Sequence, residues 1–465
     1  MKSMQSLKLL TLTILGCSIL GQQAFARQIN ARNNPDAMRI EGETAYERSF
    51  AALPLSGQSE NPGWSDDYYA VVHGGVCVQF KGKFDSSSEV QAAEETAEEF
   101  AARKARLDNI KSNLDAMVEL TEKDISLMSK DNLEILPAPM ILDIKNKNFK
   151  YPVTRAELQR TKSVRSKYDV LNAKRQEIFK KYQAAAVAGD KAAMEQLLKD
   201  EKAIVADINK INWFGQCHGW APVTVSEKEP NYCETEVLAA GKKLIVPLWS
   251  SDMKALMAHL AAHYRDNSAE SGFCGSRCNT YYQEPADTKK LQDSAFVDIN
   301  PASLHIILAN KLGKLKKGLV LEVTADAPVW NQGTVSYEIL HSSEKSAAEV
   351  DEMVKNGLIK DLEVAAGTVK QIYVENKTKY ISEVRPHKEA MGNKQNFLHS
   401  VVYKYLLELD KDGKIIGGRY VGESVNQHPD FTWVNAKINP YGSAAKKYFG
   451  DGMATLMQES GVTAK

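Results

Sequence analysis

Residues 213–222 read Trp213-Phe214-Gly215-Gln216-Cys217-His218-Gly219-Trp220-Ala221-Pro222, which sets a cysteine among glycine and aromatic residues where a loop is predicted to enter a helix. The free backbone N–H groups at a helix start, with the positive end of the helix dipole, favour a thiolate over a thiol. The same N–H groups can stabilise the oxyanion of a tetrahedral intermediate. We therefore predict that Cys217 is a nucleophile rather than a structural cysteine.

A nucleophilic cysteine needs a base within hydrogen-bond distance and usually a third group that orients this base. His218 is a poor candidate, because consecutive residues on a helix do not face each other. His305 lies in an apolar run, residues 303–309, that we predict to be a buried strand. We therefore predict that His305 is the base of Cys217.

Asp326 directly follows a second predicted strand, residues 319–324. A turn at residues 313–318 would make the two predicted strands neighbours and bring Asp326 close to His305. A carboxylate there can hold one imidazole nitrogen and leave the other facing the thiol. Cys217, His305 and Asp326 are therefore the predicted catalytic triad.

Several segments carry a resemblance to a known family. They are Cys217-His218-Gly219-Trp220-Ala221-Pro222, Asp252-Met253-Lys254-Ala255-Leu256, Ala325-Asp326-Ala327-Pro328-Val329-Trp330-Asn331-Gln332, Leu407-Glu408-Leu409-Asp410, Ile415-Ile416-Gly417-Gly418 and His428-Pro429-Asp430-Phe431. Over residues 210–440 the chain resembles the transglutaminase elicitor family of oomycetes and some bacteria. The resemblance implies an α+β fold with a papain-like, transglutaminase-like core, in which a helix bearing the cysteine packs on an antiparallel sheet.

The resemblance also implies an activity. In a transglutaminase the cysteine thiolate attacks a glutamine carboxamide, ammonia leaves, and a lysine or small amine takes the acyl group from the thioester. The expected partners are proteins with accessible Gln and Lys. Water in place of the amine would give deamidation, so a dry tunnel is expected.

Five residues near the predicted nucleophile are candidates for the oxyanion site or for this tunnel. Asn212 and Gln216 could donate to the oxyanion, whereas the tryptophans could donate through their indole N–H or line the tunnel: Trp213, Trp220 and Trp330. Two departures from related enzymes stand out: the papain-type upstream Gln is absent, and Pro222 interrupts a simple helix.

The sequence is also compatible with two other functions. A papain-like cysteine peptidase or amidase would use the same triad with water as acceptor. A non-catalytic secreted recognition protein could keep the same fold without using Cys217 as a nucleophile. A glutamine substrate with a primary amine separates transfer from hydrolysis.

The N-terminus has the order of a secretory signal peptide. Lys2 and Lys8 precede or border the apolar run of residues 9–20, and Ala24-Phe25-Ala26 provides a small-residue cleavage site. We predict cleavage after about Ala26 and a secreted or periplasmic protein. A lipoprotein box ending at Cys17 is the alternative interpretation. No later window is apolar enough to predict a membrane span.

The chain carries 59 basic and 59 acidic residues, so no global positive field favours a nucleic-acid partner. Its six cysteines include Cys17 in the predicted signal peptide, which leaves an odd number in the mature protein. We expect a local disulfide between Cys274 and Cys278, which leaves Cys77 to pair with Cys233 and Cys217 unpaired, although three pairings of these four cysteines are possible.

No cofactor is predicted to be required. The pair His259 and His263 has metal-ligand spacing, but Leu260 occupies the place of a metalloprotease glutamate. Zinc is the alternative use of the Cys274 and Cys278 pair. Residues 410–413 resemble the start of a calcium loop without its distal Glu, so calcium is possible but no site is recognisable.

The composition predicts three regions after the signal peptide. Residues 27–85 form a loosely packed lead-in with short strands, residues 86–209 form long amphipathic helices, and residues 210–450 form the catalytic domain. An inhibitory role of residues 27–205 is a further hypothesis. Within the catalytic domain the predicted elements are a helix at 251–264, strands at 303–309, 319–324 and 334–340, and a hairpin of residues 400–409 and 414–421.

Overall fold

The structure is a computed structural model, and part of the chain is described. The described residues are 28–31, 33–71, 96–98, 101, 105, 140–143, 148–150, 155–212, 214–239, 242–263, 272–276, 298–324, 329–360, 363–385, 387–392, 397–434 and 452–462. The predicted signal peptide and its Cys17, as well as Cys77 and Cys278, lie outside these ranges, as does most of the helix expected at 89–128.

Two long helices precede the domain that carries Cys217. Helix α1 spans Arg155–Ala188 and α2 spans Lys191–Asn212, and they pack against each other. Gly189 between them has a φ of 70°, a conformation that glycine adopts without strain and that ends a helix. The prediction of helices over residues 155–209 is therefore confirmed. Leu171 of α1 and Ile208 and Ile211 of α2 form a hydrophobic cluster with Ala70.

The other helices are shorter. They are α3 (Cys217–Ser226), α4 (Ser250–His263), α5 (Pro301–Leu308), α6 (Ala347–Lys355) and α7 (Gly452–Glu459). Helix α4 confirms the predicted helix at 251–264. Within the described ranges no helix is long and apolar enough to cross a membrane.

The strands build one large antiparallel sheet and two separate hairpins. The strands are β1 (Ser56–Gln58), β2 (Met140–Asp143), β3 (Asn148–Lys150), β4 (Cys233–Ala239), β5 (Lys242–Leu248), β6 (Gly272–Gly275), β7 (Leu319–Glu322), β8 (Asn331–Lys345), β9 (Lys370–Ile381), β10 (Leu398–Leu409), β11 (Ile415–Tyr420) and β12 (Phe431–Val434). The eight-stranded sheet has the order β11-β10-β9-β8-β7-β12-β6, with β1 also paired to β8. The hairpins are β2-β3 and β4-β5.

Most of the predicted strands are confirmed. The expected strands at 319–324 and 334–340 are β7 and β8, and the expected hairpin is β10 and β11. Its turn forms because the Asp410 carboxylate accepts hydrogen bonds from the backbone N–H groups of Asp412 and Lys414, each at 2.9 Å. The fold is thus a mixed α+β fold around an antiparallel sheet.

The segment at residues 303–309 is helical, so the predicted strand there is wrong. Helix α5 begins after Asn300, whose side chain accepts a hydrogen bond from the Ala302 N–H at 2.8 Å. Pro301 occupies the first turn, where its missing N–H costs nothing. The helix continues as a π-helix over Ala309–Lys314. His305 therefore lies on a helix and not on a strand.

Helices α3 and α5 pack on opposite faces of the large sheet. On β7, Leu319 and Leu321 belong to the main hydrophobic cluster, which also contains the apolar residues of α5. Val320 between them packs instead with Ala221 of α3. Successive side chains of a strand point to opposite faces of a sheet. The sheet therefore separates Cys217, on α3, from His305, on α5.

The N-terminal segment is part of the core, so the expectation of a loosely packed lead-in is wrong. Met38, Tyr46 and Leu53 are buried in the main cluster beside α5. Strand β1 pairs with β8 through residues 56–58. Removal of residues 27–205 would therefore take away core side chains and a strand, which does not fit a dispensable inhibitory segment.

The described residues contain one cysteine of each expected disulfide, and Cys274 is a free thiol in the structure. Cys274 lies on β6, fully buried in the main cluster, and burial raises the pKa of its thiol to about 12. Cys233, at the start of β4, is also buried. The structure thus contradicts the expected pair of Cys274 with Cys278, because strand alternation turns the Cys274 side chain into the core. The expected Cys77–Cys233 pair stays a prediction, since Cys77 lies outside the described residues.

Candidate active site around Cys217

Cys217 is the first residue of α3, as the sequence predicts. Gln216 is the N-cap, and its carbonyl accepts hydrogen bonds from the N–H groups of Gly219 and Trp220. A Cβ atom at Gly219 would lie 1.9 Å from the Ala258 carbonyl oxygen, so only glycine lets α4 approach the first turn of α3 this closely. The cysteine is 7% exposed. The packing of α4 against α3 thus leaves the Cys217 thiol nearly inaccessible to solvent.

The sulfur of Cys217 faces the beginning of β8. The Sγ atom lies 3.6 Å from the carbonyl oxygen of Val329, to which the thiol can donate. The side-chain Nδ2 of Asn331 donates to the same sulfur, also at 3.6 Å. The Oδ1 of Asn331 in turn accepts a hydrogen bond from the Trp433 indole at 2.7 Å. One amide therefore joins the thiol to a buried tryptophan of β12.

Opposing effects act on the pKa of the Cys217 thiol. Burial raises this pKa above its usual value, and the charge of Glu383 adds to the rise. Hydrogen bonds from the backbone N–H and side-chain amide of Asn331 and from the backbone N–H of His218 act to lower it. The net direction is upward, so the resting group is a thiol surrounded by donors that are ready to stabilise a thiolate.

A segment around Tyr68 lies over the loop that carries Cys217. The Tyr68 carbonyl accepts a hydrogen bond from the Gln216 N–H at 2.8 Å, and Val71 donates to the Phe214 carbonyl at 2.7 Å. The Tyr68 ring stands edge-on to Trp330, with ring centroids 5.0 Å apart. Tyr68 and Trp330 thus form an aromatic pair, one partner on the overlying segment and the other between the two residues that contact the sulfur.

Comparison with known proteins identifies the family. The sequence model of the transglutaminase elicitor family matches residues 199–449, which is more than half of the chain. The chain belongs to the transglutaminase elicitor family. The crystal structure of the GP42 transglutaminase from Phytophthora sojae is similar, with 21% identity and a TM-score of 0.49 over 90% of this chain and 94% of that one. Comparison with curated proteins finds no match.

The structure does not place His305, the predicted base, near Cys217, the predicted nucleophile. His305 lies across the sheet, where its Nδ1 lies 2.9 Å from the Tyr405 hydroxyl and its ring stacks on Phe50 at 5.9 Å. Burial lowers the pKa of His305 to about 4, as expected for an imidazole in an apolar core. The prediction of His305 as the base of Cys217 therefore disagrees with the structure.

Asp326, the third predicted triad residue, lies outside the described residues. It precedes Val329, whose carbonyl contacts the Cys217 sulfur, by three positions in the chain. Its predicted role, to orient His305, is therefore not tested by the described residues.

The predicted oxyanion and tunnel residues have different surroundings. The Asn212 amide donates to Asn209 within its own helix, and the Gln216 amide lies 3.0 Å from a ring nitrogen of His259 on α4. Trp220 is fully buried, and its indole N–H has no hydrogen-bond partner among the described residues. Trp330 pairs with Tyr68, and Trp213 lies outside the described residues. Of the three predicted tryptophans, Trp330 is the one that lies in the chain between two residues that contact the sulfur, Val329 and Asn331.

Three residues at the site were not predicted: Asn331, Trp433 and Tyr68. Asn331 belongs to the family-like segment 325–332, and its position next to Trp330 is the sequence feature that could have indicated a role at the site. Tyr68 and Trp433 lie far from Cys217 in sequence, and strand alternation alone does not show which side chain they meet. The described parts of the chain hold no group of three His, Cys, Asp or Glu side chains that could bind a metal ion.

Proposed function

We propose that this chain is an exported protein-glutamine gamma-glutamyltransferase that transfers acyl groups through a thioester on Cys217. The main support for this proposal is the position of the Cys217 sulfur, at the N-terminus of α3 between N–H donors of Asn331 and His218. The chain also belongs to the transglutaminase elicitor family. A helix start with additional fixed donors stabilises both a thiolate and a tetrahedral oxyanion.

The reaction has two halves. In the first, the Cys217 thiol loses its proton, the thiolate attacks the carboxamide carbon of a glutamine, and the tetrahedral intermediate expels ammonia once its nitrogen is protonated. In the second, the nitrogen of an amine attacks the thioester, the C–S bond breaks, and the thiolate regains a proton. The product is an isopeptide bond.

The thiol proton needs an acceptor other than His305, because the sheet separates His305 from the sulfur. We propose Asp326 for this role, since it precedes Val329 by three positions in a chain whose Val329 carbonyl touches the sulfur. A carboxylate can accept the thiol proton and return it to the departing ammonia.

The charges near Cys217 favour a cationic acyl acceptor. The Glu383 charge acts on the Cys217 sulfur, and both Asp67 and Glu383 act on Tyr68, whose pKa burial raises to about 12. Burial also raises the pKa of Asp67, to about 6, so this carboxylate is mostly ionised at neutral pH. Two carboxylates attract a lysine ammonium and repel anions. An amine is therefore the acceptor that the electrostatics support.

The aromatic pair of Tyr68 and Trp330 supports a water-poor approach to the thioester. Trp330 lies between Val329 and Asn331, which contact a sulfur that is nearly inaccessible to solvent. Excluding water favours aminolysis over hydrolysis of the thioester. The helix of Cys217 packed on an antiparallel sheet is the arrangement on which we base the proposal of a papain-like core.

The function can be tested with a glutamine peptide and a fluorescent primary amine. We expect the purified protein to attach the amine to the glutamine with release of one ammonia for each amine attached, and Cys217→Ala to do neither. Ammonia release without amine attachment would make the enzyme a deamidase. Cleavage of the peptide bond would make it a cysteine peptidase, and an inactive protein with an unreactive Cys217 would favour a recognition role.

Export rests on the predicted signal peptide. We expect mature protein collected outside the cytoplasm to begin near Arg27, as measured by N-terminal sequencing. A mature protein that retains residues 1–26, or one that carries lipid on Cys17, would contradict this part of the proposal.

A further inference from the structure

We propose that Glu322 is a positioning residue that holds the residues facing Cys217 in place. It is the last residue of β7 and is fully buried. This proposal deepens the proposed function, because it concerns the same nucleophile. Glu322 was not among the predicted site residues, and the reaction described above does not use it.

The Glu322 carboxylate ties together the two ends of the connection between β7 and β8. Its Oε1 accepts hydrogen bonds from the Thr324 N–H at 3.0 Å and from the Trp330 N–H at 3.2 Å, and also from the Thr324 hydroxyl. The Val323 N–H donates to the Trp330 carbonyl at 3.1 Å. Trp330 is therefore held from both sides, and with it the flanking residues that contact the sulfur.

The second carboxylate oxygen reaches a different element. The Oε2 of Glu322 accepts a hydrogen bond from the Asp430 N–H at 3.3 Å, directly before β12. Strand β12 carries Trp433, whose indole holds the Asn331 amide. Glu322 thus joins the start of β8 to the strand that orients Asn331. Both links end at the amide that donates to the Cys217 sulfur.

The chemistry of the site requires an acceptor without hydrogens. Among the described residues, the groups that hydrogen-bond to Glu322 are donors: the backbone N–H groups of Thr324, Trp330 and Asp430 and the Thr324 hydroxyl. An ionised carboxylate accepts all of these bonds, whereas a glutamine must turn an NH₂ group towards at least one donor. Such a buried mismatch loses a hydrogen bond and adds repulsion between donors.

The protonation of Glu322 gives a second way to observe its role. Burial raises the pKa of Glu322 to about 7, against the lowering effect of its hydrogen bonds. The Glu322 charge acts in turn on the Tyr403 phenol and raises its pKa, in addition to the effect of burial. Asp430, whose N–H faces the Glu322 carboxylate, also carries a titratable side chain. Acidification through neutrality should therefore weaken the link to Asp430 in the wild-type protein.

The test measures the alkylation rate of Cys217 by iodoacetamide in four full-length proteins: wild type, Glu322→Gln, Asn331→Ala and the double variant. We expect Glu322→Gln to slow alkylation about tenfold, the scale of one lost hydrogen bond to a charged group. In the Asn331→Ala background the same substitution should cause no further decrease, because Glu322 acts through that amide. If the alkylation rate of the wild type changes around pH 7 through the protonation of Glu322, Glu322→Gln should lose this change.

Two further variants serve as controls. Glu408→Gln removes another buried carboxylate, which contacts Arg419 and the Ala365 N–H away from Cys217, and should lower stability without changing the alkylation profile. Thr324→Val removes one donor to Glu322 and keeps the carboxylate, and should slow alkylation about two- to fivefold. It covers the case in which Glu322→Gln does not fold.

The possible outcomes distinguish the positioning role of Glu322 from the proposed transferase function. An unchanged rate in both Glu322→Gln and Thr324→Val, or an equal decrease with and without Asn331, would overturn the positioning role. Coupling through Asn331 in a protein that never attaches an amine to glutamine would support the positioning role and overturn the transferase function. Alkylation needs no glutamine substrate, so the two results are independent.

Discussion

The Trp433 indole donates a 2.7 Å hydrogen bond to Asn331 Oδ1, and the other end of the same amide lies 3.6 Å from the Cys217 sulfur. The indole fixes which way the amide points, because Oδ1 is occupied and Nδ2 must face the thiol. A residue on another strand thus orients the donor that faces the thiol, and we infer that Trp433 positions Asn331 towards Cys217.

Trp433→Phe should reduce the thiolate fraction of Cys217. The substitution keeps most of the buried ring but removes the N–H that orients Asn331, so we expect alkylation near neutral pH to slow about three- to tenfold. Trp64→Phe is the matched control, because it also loses one indole hydrogen bond, to the Glu227 carbonyl at 3.0 Å, at the other end of α3. Equal effects of the two substitutions would rule out the positioning role.

Tyr68→Ala should open the path to the sulfur. The ring that stands against Trp330 is removed, so a bulky maleimide should gain more in rate than the small iodoacetamide. Amine attachment should fall and hydrolysis should rise, since water reaches the thioester more easily. Tyr68→Phe keeps the ring and should change neither ratio. A Tyr68→Ala protein with the wild-type ratio of the two alkylation rates would show that this ring does not limit access.

His305→Gln should affect stability and leave the chemistry intact. His305 is buried and neutral, with a pKa of about 4 against 6.5 when unfolded, so the unfolded state binds the additional proton. Its contribution is unchanged above pH 6.5 and is lost as the pH falls towards 4. By linkage, the wild type should lose about 3 kcal/mol of stability over this range that the variant does not lose.

The same variant decides whether His305 is the base. We expect the folded fraction of His305→Gln to keep amine attachment within about twofold, whereas Asp326→Asn should lose it by about two orders of magnitude or more. Chemical denaturation at pH 8 and pH 4 measures the stability change, and the fluorescent amine assay measures activity. A large loss of activity in stable His305→Gln would restore the triad predicted from the sequence.

Lys254→Met should destabilise the protein by about 3–5 kcal/mol, the scale for breaking a buried ion pair. The Lys254 ammonium is fully buried and donates to the Ser65 carbonyl at 3.0 Å and to Glu229 at 2.6 Å. It also lies 3.5 Å from Asp66, so it anchors the segment leading to Tyr68. Thermal unfolding measures the loss. Lys181→Met, which removes an exposed pair on α1, should change stability by less than about 1 kcal/mol.

The helix start at Cys217 could be predicted from sequence because its signals are local. Gly and aromatic residues next to Cys217, followed by a helix start, need no knowledge of distant contacts. The hairpin of β10 and β11 was predictable for the same reason, since Asp410 and Gly413 determine its turn. By contrast, the helix at His305 was missed although Asn300-Pro301 is a good helix start, because a short apolar run fits a buried strand or a buried helix equally well.

Which side chains surround Cys217 depends on the topology of the sheet. The order of Cys217 and His305 in the chain does not show on which face of the sheet each side chain lies. That information comes from the alternation on β7, where Leu319 and Leu321 face one helix and Val320 the other. The roles of Asn331 and Trp433 likewise require the register of strands that are distant in sequence.

The most direct test of the account is the mass of the intact protein after incubation with a glutamine peptide in the absence of amine. We predict an adduct equal to the peptide less one ammonia, located on Cys217, released by hydroxylamine and absent from Cys217→Ala. An adduct on another residue, or one that persists in Cys217→Ala, would contradict the proposal that Cys217 carries the acyl group.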